Sequence, residues 1–256
     1  MISICIAGCL RRPERVPYLR QNMDSLLKHF PEADYLIGLD NTSEEAGNLV
    51  QKEYPMARVK VHSLGFGHSW NWAIKEAKHD FILQTEEDWL CTCCWSSDKD
   101  KDIAQKVEYG IEKCTSDTGI LLKLDNGMGI GSPPTSPYRP GWKEYEKCPK
   151  TGKQVYELNR PDPRHWYEGW NPYFMSNHPH LKHKKFHELV GFYAEKAALL
   201  AMIKQHIRDE KKADLAVVPQ TELDMCKKVI INPKTKMLFY NNNSFVHIGH
   251  ESVREY

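Results

Sequence analysis

Residues 65–89 read GFGHSWNWAIKEAKHDFILQTEEDW. Gly65 and Gly67 lie in a turn, and Trp70, Ala73, Ile74 and Ala77 then recur at three- and four-residue spacing, which predicts an amphipathic helix. Phe81-Ile82-Leu83 is too short for a helix and is flanked by charge, which predicts a buried strand. That strand carries Glu86, Glu87 and Asp88 at its carboxyl end. In an open α/β sheet, ligands sit in the crevice outside the carboxyl ends of the strands. Carboxylate oxygens gathered there suit a hard cation, Mg²⁺ or Mn²⁺, which in turn holds a diphosphate. An acidic triplet after a strand also fits a solvated turn.

Outward from this stretch the first half alternates regularly. Ile2–Ala7 reads as a β-rich first strand closed by Gly8, followed by a turn and a helix with Val16, Leu19, Met23, Leu26, Leu27 and Phe30 on one face, stopped by Pro31. Tyr35–Leu39 reads as a second strand ending in Asp40, with Thr42 capping a helix that has Glu44 and Glu45 in its first turn. Arg58–His62 reads as a third strand. Such alternation predicts an α/β fold with a mostly parallel, Rossmann-like central sheet flanked by helices. The loops at its strand ends offer Arg11 and Arg12 for phosphate and Asp40 for a ribose or base edge. Gly65-Phe66-Gly67 does not continue as G-x-G-x-x-G and no P-loop sequence occurs, so NAD enzymes and P-loop kinases are disfavoured.

The second half is less regular. Asp100–Cys114 reads as a helix, Gly119–Leu124 as a strand, and Phe192–Ile207 as a scaffold helix. Between them, from Asp125 to about Pro172, runs a Gly- and Pro-rich segment carrying Trp142, Tyr145, Trp166, Tyr167 and Trp170. A long irregular segment inside a domain suits a lid or binding loop, and exposed aromatic rings suit the C–H face of a sugar. The same rings would also serve to pack the loop onto the body. Leu215–Val218 reads as a strand followed by a helix opening at Thr221, with Glu222 and Asp224 in its first turn, where the macrodipole alone favours acids. Ser244–Val246 reads as a late strand that leads to His247 and His250.

In order and spacing these parts resemble a nucleotide-sugar-dependent glycosyltransferase of the GT-A fold. They are similar to the inverting family 2 group and to its short, single-domain members from viruses and bacteria. The resemblance is carried by ISICIAG at residues 2–8, Asp40, the GFGHSWNWAIKEA and FILQTEEDW stretches, NPYFMSNHPHL at residues 171–181 and FVHIGHES at residues 245–252. It covers the chain nearly end to end. It implies one GT-A-like domain over 1–256, with residues 1–124 as the nucleotide-sugar-binding half and 125–256 as the acceptor and catalytic-base half. The donor would meet Ala7, Gly8, Arg11, Arg12, Asp40, Gly67, Asn71, Glu86 and Glu87. Glu86-Glu87-Asp88 stands where the family has its D-x-D, with Glu in the place of the first Asp. Asp88, Glu86 and a late histidine, His247 in preference to His250, would hold Mn²⁺ or Mg²⁺. Trp166, Trp170 and Asn171 would face the saccharide acceptor. Glu222, with Asp224 second, would be the general base of an inverting transfer, since Met225 and Lys228 then take the family's apolar and basic positions. A sugar-nucleotide pyrophosphorylase and a non-catalytic carbohydrate-binding module are the alternative classes.

Composition agrees with a small-ligand protein. The 256 residues are 41% hydrophobic, and 35 Lys and Arg against 34 Asp and Glu leave a net charge of +1, so no field advertises nucleic acid. No apolar run approaches the roughly 20 residues of a membrane span, and the N-terminus lacks a signal-peptide pattern, which points to the cytoplasm. The eight cysteines form no paired zinc pattern and are expected as free thiols. His178, His180, His183 and His187, interleaved with Lys182, Lys184 and Lys185, read as a solvated basic turn rather than a zinc site.

Overall fold

In this computed structural model the described residues are 1–11, 15–91, 102–124, 141–160, 178–203, 210–240 and 244–249; at 202 and 210–220 the backbone alone is described. The first half runs β1 (Ser3–Gly8), α1 (Val16–His29), β2 (Asp34–Asp40), α2 (Glu44–Glu53), β3 (Arg58–His62), α3 (Phe66–Glu76), β4 (Phe81–Glu86) and β5 (Trp89–Cys91). There follow α4 (Asp102–Lys113), β6 (Gly119–Lys123), β7 (Trp142–Lys147), β8 (Gln154–Leu158) and β9 (His180–His183). The chain continues with α5 (Phe186–Val190), α6 (Lys196–Ile203), α7 (Glu210–Ile231), β10 (Thr235–Tyr240) and β11 (Phe245–His247). One nine-stranded sheet has the order β3-β2-β1-β4-β9-β6-β10-β8-β7, and β5 and β11 form a separate two-stranded ribbon.

The α/β expectation holds, and the sheet is mixed. Strands β3, β2, β1 and β4 are parallel to one another, and β10 is parallel to β6. Strand β9 runs antiparallel between β4 and β6, and the β7–β8 hairpin closes the far edge antiparallel to β10. Residues of one strand alternate between two cores. Ile4 and Ile6 of β1 join Leu19, Met23 and Leu26 of α1 and Ile103 and Val107 of α4 on one face. Cys5 and Ala7 join Trp70, Ala73 and Ile74 of α3, Phe186 of α5 and Met225, Val229 and Ile230 of α7 on the other. Covering both faces is why β1 and β2 read as unbroken apolar runs.

Four sequence expectations are corrected. The His- and Lys-rich segment at 180–183 is not a solvated turn: it is β9, buried throughout, because Leu181 enters the first core while the polar ends of His180 and Lys182 find partners inside the sheet. Leu215–Val218 is not a strand, since a continuous helix runs from Glu210 to Ile231, and Glu222 and Asp224 therefore lie in mid-helix rather than in a first turn. The Lys, Ala, Leu and Glu residues around the two valines carry enough helix propensity to override them. The segment from Asp125 to Pro172 contains the β7–β8 hairpin, and Trp142 packs edge-on against Tyr156 at 4.9 Å. Helix α2 is capped by Ser43, whose Oγ accepts from Ala46 N, while the Thr42 Oγ1 accepts from Leu10 N. Among the described residues no helix is long and apolar enough to cross a membrane. The six described cysteines are free thiols.

Candidate active site

Strand β4 ends at Glu86, and the chain turns through Glu87 and Asp88 before pairing again as β5. Helix α1 holds this turn: Asn22 Nδ2 donates to the carbonyls of Glu86 and Trp89. The C-terminal segment clasps it from the other side, because β11 pairs with β5 and Ile248 N donates to Asp88 O at 2.8 Å.

The three acids then point to different surroundings, as pleating requires. Glu87 is 1% exposed and folds back beneath β1, where its carboxylate accepts from Cys9 N and from the Arg15 guanidinium and its side chain lies against Gly8. Burial and the neighbouring Asp88 push its carboxyl up to about 7 in spite of Arg15. Asp88 Oδ2 lies 3.2 Å from His247 Nε2 and 3.7 Å from Arg15 Nη2. Burial opposes ionisation of Asp88, yet the bond to His247 and the charge of Arg15 bring it below the ordinary carboxylate range. The Trp89 ring packs against both His247, at 5.0 Å, and His178, at 4.7 Å. Glu86 is largely buried on the α7 side of the sheet, and burial together with the charges of Asp88, Glu222 and Glu87 raises it well above its usual range.

Glu222 on α7 is thus brought within electrostatic reach of Glu86 and Tyr193. Asp224, two residues on, turns away and pairs with Lys228 Nζ at 2.6 Å. The residues expected around the donor divide into those at the site and those that build it. Ala7 is buried, and its carbonyl accepts from Glu87 N at 3.1 Å. Asp40 is 5% exposed, with Oδ1 accepting from Gly65 N and Oδ2 from Asn41 Nδ2, so it organises the loop before α3. Asn71 spends its amide on the Tyr193 backbone, donating to the carbonyl at 3.0 Å and accepting from the N–H at 2.9 Å. Gly67 is where α3 meets the 191–195 loop, and a Cβ there would come 2.3 Å from Ala194 O. Arg11 is exposed beyond β1. Arg12, Trp166, Trp170, Asn171 and His250 lie outside the described residues.

Sequence reasoning missed Arg15, Asn22, Gln84, Lys182 and Tyr193. Only Arg15 had a signal, as a cation beside the Arg11-Arg12 pair; the others depend on cross-strand neighbours.

The fit of a divalent cation rests on Asp88. Its Oδ1 is buried and has no hydrogen-bond partner among the described residues, while Oδ2 faces the His247 imidazole. An oxygen and a nitrogen ligand at one point suit Mn²⁺ or Mg²⁺. Among the described residues no three His, Cys, Asp or Glu side chains converge closely enough to hold a metal by themselves, and Glu86 does not join the Asp88–His247 pair. Such an incomplete set matches a metal bound jointly with substrate phosphates.

No family model matches the chain, and no curated protein matches it. Among solved structures 104 chains are similar to it. One is S. aureus TarS 1–349 in complex with UDP-GlcNAc, with 16% identity over 97% of this chain and 60% of that one and a TM-score of 0.44. Another is TarS 1–349 in complex with UDP, with 14% identity over 93% and 59% and a TM-score of 0.45. S. aureus TarS itself aligns with 14% identity over 93% of this chain and 36% of that chain, with a TM-score of 0.47. The chain spans less than two thirds of the length of each of these structures.

Proposed function

We propose that this chain is a nucleotide-sugar-dependent glycosyltransferase that moves a sugar from a nucleoside diphosphate, UDP by preference, to a saccharide hydroxyl with inversion. The observation that carries the reading is the meeting of Asp88 from the β4 end with His247 from the C-terminal segment, 3.2 Å apart, with Glu222 from α7 bearing on the adjacent Glu86. A diphosphate needs a cation on one side of the reacting carbon, and an inverting transfer needs a proton acceptor on the other. Those requirements fit this pairing of elements from the two halves of the chain.

In this reading Asp88 and His247 would hold Mn²⁺ or Mg²⁺ together with the diphosphate, and such a cation would supply positive charge for the departing diphosphate. Arg15 bonds Glu87 and adds positive potential beside Asp88. Glu222 accepts the proton of the attacking hydroxyl. Its proximity to Glu86 supports this, since a second carboxylate nearby makes a bound proton more favourable. Asp224 is already paired with Lys228 and takes no part. The test is turnover of a nucleotide-sugar panel by Glu222→Gln against the wild type. Loss of transfer with donor binding retained supports the assignment, and full activity in the variant removes it.

A further inference from the structure

A polar path runs from the middle of the sheet to this site, and its hydrogen bonds run in one direction. Lys182 Nζ lies 2.6 Å from Gln84 Oε1 and 3.2 Å from His180 Nε2. His180 Nδ1 contacts the His178 carbonyl at 2.7 Å, so Nδ1 carries the proton and Nε2 accepts from Lys182. Lys182 is then a double donor, a role that an amine fills whether charged or neutral. Because Lys182 donates, the Gln84 carbonyl faces it, and the Gln84 NH₂ faces the Tyr193 hydroxyl at 2.7 Å. The Tyr193 oxygen is therefore an acceptor towards Gln84, which leaves the phenol proton to be given elsewhere.

That proton has no acceptor among the described residues, although Tyr193 is only 2% exposed. A Cβ at Gly67 would lie 2.3 Å from Ala194 O and 3.3 Å from Thr221 Cγ2, so the chain neighbours of Tyr193 and Glu222 meet at one point, and Glu222 and then Glu86 are the carboxylates whose charge is felt at the hydroxyl. The residue itself is held firmly, with its backbone N–H and carbonyl both bonded to Asn71 and its ring tilted against Trp70 at 6.3 Å between centroids.

We propose that Tyr193 is a positioning residue for Glu222: its hydroxyl proton, pointed by Lys182 through Gln84, is donated to the Glu222 carboxylate as the site closes on substrate and fixes that side chain for proton transfer. The inference rests on Glu222 being the base. Catalytic hydrogen bonds are often long in the resting enzyme and tighten in the complex, which suits the present arrangement.

Gln84→Glu supplies the test, because it keeps the shape and keeps a partner for Lys182 while turning the group facing Tyr193 from a donor into an acceptor. The phenol proton then turns toward residue 84 and away from Glu222. Gln84→Glu and Tyr193→Phe are each expected to lower kcat on the order of 10²-fold with donor affinity unchanged, and the double variant is expected to be no worse than either single one. Wild-type kcat in Gln84→Glu, or losses that multiply in the double variant, would overturn the proposal. A second readout needs neither variant to fold nor any turnover. With ¹³Cζ-tyrosine labelling and saturating UDP, the Tyr193 resonance is expected to differ between wild type and Glu222→Gln, and an identical shift would overturn the proposal. A wild type inert toward every nucleotide sugar would instead remove the transferase reading. The Tyr193 resonance, compared without ligand between wild type and Gln84→Glu, would then still report the reversal of its hydroxyl, and no change would overturn that part too.

Discussion

Lys182 Nζ lies 2.6 Å from Gln84 Oε1 in the interior of a nine-stranded sheet, and no part of the lysine reaches solvent. Burial lowers its ammonium to about 7. An unfolded lysine keeps its proton up to about 10.4. Between those two values the unfolded chain binds a proton that the folded chain has shed, so this residue makes stability rise with pH across that window and is most costly below it. Lys182→Met is expected to remove the rise, which is at most about 1.4 kcal/mol per pH unit. Urea denaturation of both proteins from pH 6.5 to 9.5 checks it; parallel curves would contradict it.

Arg15 and Glu87 give a dependence of the opposite kind. Glu87 is raised by burial and by Asp88 to about 7, above its unfolded value, so it favours folding while protonated and that contribution is lost as pH rises through 7. Arg15 matters once Glu87 is ionised. Arg15→Met is expected to be nearly neutral at pH 5 and to destabilise by about 1 kcal/mol at pH 8, where Glu87 loses its partner and takes up a proton instead of staying charged. Thermal melts at the two pH values check it, and equal losses at both would contradict the assignment.

Gly249 abuts Asp88, and a Cβ there would lie 2.3 Å from Asp88 Oδ2 and 2.9 Å from its Cβ. Gly249→Ala is expected to displace the Asp88 carboxylate and weaken Mn²⁺-dependent nucleotide binding at least about 10-fold, in the range seen when groups that orient a metal ligand are altered. The melting temperature should change little, because the site is at the end of a short ribbon. Calorimetry with and without Mn²⁺ checks it, and unchanged affinity would contradict it.

Glu222 and Asp224 can be separated by single amide substitutions. Loss of a general base costs on the order of 10²- to 10⁴-fold in rate, and this loss is expected for Glu222→Gln. Asp224→Asn breaks only a partly exposed i,i+4 pair with Lys228 and is expected to keep turnover within about twofold. Steady-state kinetics decides; the reverse pattern would move the role to Asp224.

The first ninety residues were legible because β1, β2 and β4 are covered on both faces and each helix shows one apolar stripe, so period and burial agree. Segment 180–183 was not. His and Lys count as surface residues until a cross-strand Gln84 turns up to bond Lys182, and that neighbour is about a hundred residues away in the chain. The helix through Leu215–Val218 was masked by two β-branched residues and Pro219, which locally favour other structure. Within the site, Asp88, His247 and Glu222 were named from motif order. Asn22 and Tyr193 were invisible, and Arg15 showed only as a further cation near Arg11 and Arg12, because their roles arise only when α1 and the loop before α6 are folded onto β4.

The most direct measurement is isothermal titration of the wild type and Asp88→Asn with UDP, GDP and their sugars, with and without Mn²⁺. The account predicts one saturable site for a nucleoside diphosphate that needs the divalent cation and is lost in the variant. No binding of any nucleotide, or binding that neither the cation nor Asp88 affects, would contradict it.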